Sequence, residues 1–231
     1  MMPHVSTSVV PTYMIDAYCE RIGYGLLGEP LNALTNIAFL VAALACWQRA
    51  RRLGALDGSL AVLIALMATV GLGSALFHTL ATTWARVLDI LPILAFQLSL
   101  LWLYLRRVVL VRASYAALAV TGLLMASVIG RAVPHGTEWS LQYVPAFVLL
   151  AGLGVYHLRT RKSEAWALLA AAAVFLFALI FRTIDEPVCA SILVGTHFLW
   201  HLLNPVAMYL AFRGLAANWR MPGPAETSRQ R

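Results

Sequence analysis

Charged residues are scarce in this sequence, and lysine is almost absent. Only 12% of the 231 residues are charged, whereas soluble domains carry about 25%. Apolar residues make up 61% of the chain, so an ordinary soluble domain is excluded and a polytopic membrane protein is indicated. Sixteen of the 17 basic residues are arginine, a composition that suggests a GC-rich bacterial genome.

Cysteine is also rare. The three cysteines, Cys19, Cys46 and Cys189, are too few for a disulfide-rich scaffold. No basic segment precedes the first apolar stretch, so we expect no cleaved signal peptide. Internal repeats, low-complexity blocks and stretches polar enough for a soluble domain are absent as well. The sequence consists instead of long apolar runs separated by short polar connections.

These apolar runs predict the fold class. A membrane-spanning helix needs about 20 mostly apolar residues, and short connections make neighbouring helices antiparallel. We therefore predict an all-α polytopic membrane protein with a seven-helix transmembrane domain over 32–214. An extracytoplasmic segment (1–31) precedes the domain, and a disordered cytoplasmic tail (215–231) follows it. The seven predicted spans are 32–49, 59–80, 87–106, 113–131, 139–158, 164–182 and 195–214.

The basic residues are distributed unevenly between the two ends of the predicted helices. Thirteen of the 17 fall in the loops after the first, third and fifth helices and in the tail. The other four are Arg21, Arg86, Arg131 and Arg182. The positive-inside rule places the larger group in the cytoplasm, so we expect the N-terminus outside a bacterial inner membrane and the C-terminus inside. Topology then explains the net charge of +7, and no nucleic-acid partner is required.

Three histidines stand in apolar sequence at similar predicted depth. The four-residue spacing of His197 and His201 puts both rings on one helix face, which is equally typical of a metal-ligand pair and of two hydrogen-bonded core histidines. His78, Ser74 and Asp89 reach the same outer half of the bundle from other helices. Because ionisable residues inside a membrane are costly and mark functional sites, we favour a shared metal site.

Three histidines with one open coordination position are the pattern of a catalytic zinc site, which supports metal-assisted hydrolysis. Iron or nickel can also bind such a ligand set. Ser74, one turn from His78, is a candidate to hydrogen-bond a substrate carbonyl; alternatively, its hydroxyl bonds its own helix backbone. Asp89 is a candidate to carry a proton between water and a leaving amine; alternatively, it orients a histidine.

Four motifs spread over 16–204 resemble those of the alkaline ceramidases, in the same order. They are Cys19-Glu20 with Glu29-x-x-Asn32-x-x-x-Asn36, Ser74-x-x-x-His78 with Asp89-x-x-Pro92, Arg182-x-x-Asp185-x-x-x-Cys189, and His197-x-x-x-His201. Each motif alone is unspecific, whereas the ordered combination covers nearly the whole chain.

The resemblance implies a seven-helix intramembrane amidase with zinc on His78, His197 and His201, assisted by Ser74 and Asp89. It implies a membrane-lipid substrate, with ceramide cleaved to a sphingoid base and a fatty acid. The wider superfamily also includes seven-helix receptors of the adiponectin-receptor type. An alternative function is therefore a zinc-stabilised lipid sensor with little or no turnover. A transporter finds little support, because no pair of broken helices occupies matching halves of the chain.

The N-terminal motif departs from the family pattern. Eukaryotic ceramidases carry an Asp-Trp-Cys-Glu-x-Asn stretch associated with calcium, and here Ile22 replaces its asparagine. Asp16, Glu20 and Glu29 remain candidates for a second cation site that would bind Ca²⁺. A hard cation takes six to eight oxygen ligands, and Arg21 adds a repulsive charge. We therefore favour a solvated acidic loop or a salt bridge to Arg21.

The topology also bears on the cysteines. Cys19 and Cys189 both fall on the predicted outer side, where a disulfide persists. We predict a bond between them that ties the N-terminal segment to the loop before the last helix. Cys46, near the predicted cytoplasmic end of the first helix, is expected to be a packed free thiol.

Overall fold

The computed structural model describes residues 14–23, 25–132 and 140–219, and this part of the chain is mostly helical. The α-helices are α1 (Pro30–Thr35), α2 (Ile37–Arg52), α3 (Gly58–Leu80), α4 (Thr83–Tyr104), α5 (Ala113–Ala132), α6 (Val144–Arg159), α7 (Ala167–Thr183) and α8 (His197–Ala216). A π-helical stretch continues α4, and short 3₁₀ turns precede α6 and follow α7; they span Leu105–Val109, Leu141–Tyr143 and Glu186–Val188.

The predicted all-α, seven-helix architecture is confirmed. Helices α1 and α2 join into one span, so seven helical segments follow one another at the predicted positions. Five of these segments are long and apolar enough to cross a membrane; they are Pro30–Arg52, Gly58–Leu80, Thr83–Val109, Ala113–Ala132 and Leu141–Arg159. Helix α7 is apolar but shorter, at 17 residues. Helix α8 carries two histidines, Asn204, Pro205 and Arg213, which lower its hydropathy.

Large apolar side chains on the outer helix faces are exposed. Leu118 is 70% exposed, Val148 60% and Phe177 56%. Exposed apolar surface of this extent is typical of helices that face lipid. Buried polar side chains are instead concentrated near the helix ends that carry the histidines.

The two helices that carry the histidines pack closely against their neighbours. Helix α3 packs against α2 and α4, and α8 packs against α2 and α7. Two glycines on α3 permit the close approach. A Cβ at Gly71 would lie 2.9 Å from the carbonyl oxygen of Asn36, and one at Gly73 would lie 2.1 Å from the carbonyl oxygen of Leu88. Helices α3 and α8 also contact each other, and α1 packs against both.

The described N-terminal segment lies across this end of the bundle. Ala81 ends α3 in the left-handed conformation, with φ of 49°. Its carbonyl oxygen accepts a hydrogen bond from the backbone N–H of Ile15 at 2.7 Å. The segment before α1 is therefore fixed next to the C-terminal end of α3. The predicted tail lies largely outside the described residues, since helix α8 continues to Ala216 and 220–231 are not described.

Candidate metal centre

Three histidines from two helices meet at one end of the bundle. His78 lies in the last turn of α3, His197 begins α8, and His201 follows one turn later. One ring nitrogen from each lies within 4.8 Å of the other two, and each histidine is 1% exposed. In 14–23, 25–132 and 140–219, no other three His, Cys, Asp or Glu side chains are close enough to share a metal ion.

Each histidine has one buried ring nitrogen without a hydrogen-bond partner in the described structure. These atoms are Nε2 of His78, Nδ1 of His197 and Nε2 of His201. A buried polar atom left without a partner costs about 1–3 kcal/mol. Three clustered histidines that each have such an atom are difficult to explain as core packing, whereas the nitrogen lone pairs suit a transition-metal ion. The ligand set therefore fits a metal.

The second ring nitrogens of two histidines are held by neighbouring side chains. Nδ1 of His78 lies 2.5 Å from Oε2 of Glu29, and Nδ1 of His201 lies 3.2 Å from Oγ1 of Thr35. The Thr35 hydroxyl donates to the carbonyl oxygen of Leu31 at 2.8 Å, so its oxygen is left to accept from His201. Both histidines then carry their proton on Nδ1 and present the lone pair of Nε2.

Glu29 is itself fixed by a buried cation. Nε of Arg21 donates to Oε1 of Glu29 at 2.6 Å, and both side chains are 2% exposed. Asn32 donates to Oε2 at 3.2 Å. Burial alone would raise the pKa of Glu29, but the hydrogen bond from His78 and the charge of Arg21 outweigh it and lower that pKa. The carboxylate is therefore ionised and holds the His78 ring in place.

Asp185 ties the N-terminal segment to the start of α8. Its carboxylate accepts backbone N–H groups from Cys19 at 3.1 Å, Thr196 at 2.6 Å and His197 at 2.8 Å. The sulfurs of Cys19 and Cys189 form a disulfide, with their Cα atoms 5.2 Å apart. Both connections hold His197 against the N-terminal segment.

An aromatic side chain from the N-terminal segment covers the histidines. The Tyr18 ring stacks on His197 with centroids 3.7 Å apart. Burial raises the pKa of the Tyr18 phenol, which stays neutral. The Arg182 guanidinium lies against three rings, 5.7 Å from Tyr18, 5.5 Å from Tyr143 and 5.2 Å from Trp200. The stacked tyrosine separates part of the histidine cluster from the surface.

The two predicted catalytic side chains are both buried, on α3 and on α4. Ser74 is buried on α3, one turn before His78. Asp89, 8% exposed, lines a polar pocket whose wall also includes Tyr18. No hydrogen bond joins Asp89 to a histidine in the described residues. The orienting role that was the alternative for Asp89 is filled at His78 by Glu29.

A family model for ceramidases matches residues 17–219, which is most of the chain and includes the histidines, Ser74 and Asp89. The chain belongs to the ceramidase family. A separate comparison with curated proteins found no match. The family implies a hydrolase that acts on amides and a lipid substrate. The family that four short motifs predicted is thereby confirmed over most of the chain.

In this member of the ceramidase family, the acidic residues of the predicted second cation site do not form one group. Both oxygens of Glu20 accept backbone N–H groups at the start of α1, from Leu31 at 2.5 Å and Asn32 at 2.7 Å. Glu29 pairs with Arg21, which is the alternative that the sequence favoured. Asp16 is exposed and is not grouped with either glutamate.

Sequence reasoning missed the roles of three residues that organise this site: Tyr18, Thr35 and Asp185. Glu29 was considered as a cation ligand or as a salt-bridge partner of Arg21, but not as the residue that orients His78. Asp185 stood within a motif that was noticed, but it lies 12 residues before His197, too far for a helix cap to be recognised from the sequence. No pattern in the sequence pointed to Thr35, since its role depends on how α1 packs against α8.

Proposed function

We propose that this protein is a zinc-dependent intramembrane hydrolase that cleaves the amide bond of a ceramide-like lipid to a sphingoid base and a fatty acid. The observation that carries the proposal is the convergence of His78, His197 and His201, each of which has a buried ring nitrogen without a partner in the described structure. Family membership supplies the amide and the lipid. When bound there, zinc supplies Lewis-acid activation of water and of a carbonyl.

The surrounding side chains prepare the histidines for this role. Glu29 and Thr35 hold protons on Nδ1 of His78 and His201, so each Nε2 stays unprotonated. Asp185 fixes the backbone at His197. The stacked ring of Tyr18 limits the access of bulk water from the bundle end. The ligands are thus already arranged by the protein, which strengthens metal binding.

Two side chains would act on the substrate. The Ser74 hydroxyl donates a hydrogen bond to the amide carbonyl oxygen, where negative charge develops. A carboxylate oxygen of Asp89 accepts a proton from the attacking water and returns it to the leaving amine nitrogen. Water adds to the carbonyl carbon, the C–N bond breaks, and the products are a fatty acid and an amine.

The interior offers space for an apolar chain. A largely apolar cavity lies between α4, α5, α6, α7 and α8, with Phe96, Phe175 and Met208 among its lining residues. Asn204, three residues after His201 on α8, also lines it. An acyl chain in this cavity would extend along α8 towards the histidines, which supports a lipid substrate.

The test is to measure zinc content and fatty-acid release from purified protein with ceramide. Wild type should contain one zinc per chain, and a chelator should remove both zinc and turnover, with re-addition restoring them. His78→Ala, His197→Ala and His201→Ala should each lose zinc and turnover. Full zinc occupancy in any one variant would remove that histidine from the ligand set.

Asp89→Asn separates the hydrolase from the sensor alternative. A hydrolase should lose turnover by about 10²–10⁴-fold, as expected when a general acid–base is removed, with its zinc retained. A sensor would show no fatty-acid release from any amide-linked lipid in wild type, although zinc and the fold were intact.

A further inference from the structure

Asn204 places a polar group in the wall of an otherwise apolar cavity. This inner cavity lies between α4, α5, α6, α7 and α8, and among the described residues that line it, Gln97 and Asn204 alone have polar side chains. Asn204 is 3% exposed, and its Nδ2 is buried without a hydrogen-bond partner in the described structure. An unpaired buried donor costs free energy, so its presence in this cavity calls for an explanation.

A purely structural role does not explain the asparagine. In membrane-embedded helices, asparagine side chains usually hydrogen-bond across to a neighbouring helix, but within the described residues Nδ2 of Asn204 makes no such bond. Asparagine also disfavours a helix interior, because its side chain competes for backbone groups. The other cavity-lining residues of α8 are apolar: Ala207, Met208 and Ala211. A ligand in the cavity therefore explains the amide better than packing does.

Asn204 lies at the end of the cavity that is nearer to the histidines. His201, Asn204 and Met208 follow at spacings of three and four residues, which puts them on one face of α8. On α4, the lining begins at Ile93, four residues after Asp89 and on the same face. Both helices run away from the histidine end, so the cavity begins about one helical turn below His201 and Asp89.

This position limits the part of a substrate that Asn204 can contact. Three residues of α8 separate it from His201, which is about 4.5 Å along the helix axis and corresponds to about three carbon–carbon bonds. With the amide at the histidines, the group beside Asn204 belongs to the first few carbons of the chain in the cavity. A charged group is disfavoured there, because the other walls are apolar.

The chemistry of a carboxamide indicates which neutral group would bind. An asparagine side chain offers both N–H donors and an oxygen acceptor, and a hydroxyl group likewise both donates and accepts. We propose that Asn204 is a specificity-determining residue that hydrogen-bonds a hydroxyl on carbon 2 or 3 of the chain in the inner cavity. The substrate is then an N-acylated lipid that is hydroxylated next to its amide. This inference rests on the proposed function.

Either part of the lipid can carry such a hydroxyl, and substrates of matched chain length separate the two sources. The first set is ceramide with a plain, a 2-hydroxy or a 3-hydroxy acyl chain, and the second is ceramide with and without the 3-hydroxyl of its amine part. In one detergent, wild type should show a kcat/KM about 10-fold higher for a hydroxylated member, as expected for about one hydrogen bond. Asn204→Leu should bring that ratio close to one and keep its zinc. The set whose ratio falls identifies the part of the lipid that Asn204 contacts.

Gln97→Leu is the matched control. Gln97 lines the same cavity but follows Asp89 by eight residues, which is about 12 Å along α4 and too deep for a hydroxyl beside the amide. This variant should keep the wild-type ratios.

Thermal unfolding distinguishes recognition from a structural role. Asn204→Leu removes an unpaired donor, so its midpoint should equal or exceed that of wild type. A lower midpoint together with an equal loss of kcat/KM for every lipid would assign Asn204 to the fold and overturn the proposal.

Binding keeps the failure of this inference apart from failure of the proposed hydrolase. Affinities are measured in Asp89→Asn, which is expected to keep zinc without turnover, and again after Asn204→Leu is added. Equal kcat/KM and equal affinity for all lipids would overturn the hydroxyl assignment while leaving the hydrolase standing. Tighter binding of a hydroxylated lipid that depends on Asn204, without fatty-acid release by wild type, would support the assignment and reject the hydrolase.

Discussion

Glu29 shows how a single buried carboxylate can decide the state of a metal ligand. It stands between the Arg21 guanidinium and Nδ1 of His78, and Asn32 adds a further hydrogen bond. Histidine ligands in metal sites commonly donate their other N–H to a carboxylate, which fixes the tautomer and makes the ligand more basic. Here a guanidinium keeps that carboxylate charged. This pairing explains why a cationic residue lies so close to a predicted cation site.

Replacing Glu29 by Gln should weaken zinc binding. The amide is an uncharged acceptor, and it leaves the buried Arg21 without its ion pair. We expect a loss of about 10–100-fold in zinc affinity, the usual effect of removing such a partner, measured by competition with a chelator of known affinity.

The matched control is Glu186→Gln, since Glu186 is exposed and lies at the same end of the bundle. It should bind zinc as wild type does. Wild-type zinc affinity in Glu29→Gln would show that the contact with His78 does not support the metal.

The individual ligands could be predicted from sequence, whereas their supporting contacts could not. The histidines stand out because polar groups are rare and costly in apolar helices. Thr35 and Asp185 stand in less apolar sequence, where nothing marks them, and their partners lie 166 and 12 residues away. Only the packing of α1 and the loop before α8 brings them to the site.

The contact between α3 and α4 sets the relative position of His78 and Asp89. Gly73 faces the backbone of Leu88, the residue before Asp89, and a Cβ there would lie 2.1 Å from the Leu88 carbonyl oxygen. Neither backbone can move aside like a flexible side chain. The glycine is therefore required for the distance between the two helices.

Gly73→Ala should separate these helices and destabilise the protein. Overpacking of this kind costs about 1–3 kcal/mol, so we expect a lower midpoint of thermal unfolding in detergent together with reduced turnover.

Gly122→Ala provides the comparison, because a Cβ at Gly122 in α5 meets nothing within 4 Å. An alanine there should leave stability unchanged or raise it slightly, by up to about 1 kcal/mol from helix propensity. If both alanine variants unfolded alike, the close approach at Gly73 would not matter.

The helical segments were predictable because apolar run length alone determines them. The observed ends differ by a few residues where polar residues join a helix, as at Thr83, four residues before the predicted start of the third span. The course of the N-terminal segment was not predictable. The segment is attached through the backbone N–H groups of Ile15 and Cys19, and backbone groups leave no trace in residue type.

A disulfide between Cys19 and Cys189, which are 170 residues apart, links distant parts of the molecule at the histidine end. This bond holds the segment with Tyr18 and Glu29 against the start of α8. Breaking it should lower stability by about 2–4 kcal/mol, the usual range for a disulfide, and should make zinc easier to remove.

The Cys19→Ser, Cys189→Ser double variant tests the disulfide through the rate of zinc loss to a chelator. Reductant should accelerate that loss in wild type and have no further effect on the double variant. Cys46 is buried and unpaired, so it should not respond. A reductant effect that persisted in the double variant would place the sensitivity elsewhere in the protein.

The orientation of the whole bundle in the membrane follows from its arginines, and this prediction can be tested directly. Thirteen basic residues at one end against four at the other favour a cytoplasmic position for the basic end. The histidines and the disulfide then face the extracytoplasmic side, where oxidising conditions preserve the bond. The four arginines at the histidine end oppose this trend. The prediction therefore depends on the basic loops at the other end.

Single cysteines report the orientation, because Cys46 is buried and the other two native cysteines are joined. Glu186→Cys lies at the histidine end and Leu53→Cys at the basic end, both at exposed positions. In intact bacterial cells whose outer membrane has been permeabilised, a membrane-impermeant thiol reagent should label Glu186→Cys and not Leu53→Cys. Lysis should make both reactive. Labelling of Leu53→Cys alone before lysis would show that the bundle has the opposite orientation. The site of the proposed hydrolase would then face the cytoplasm.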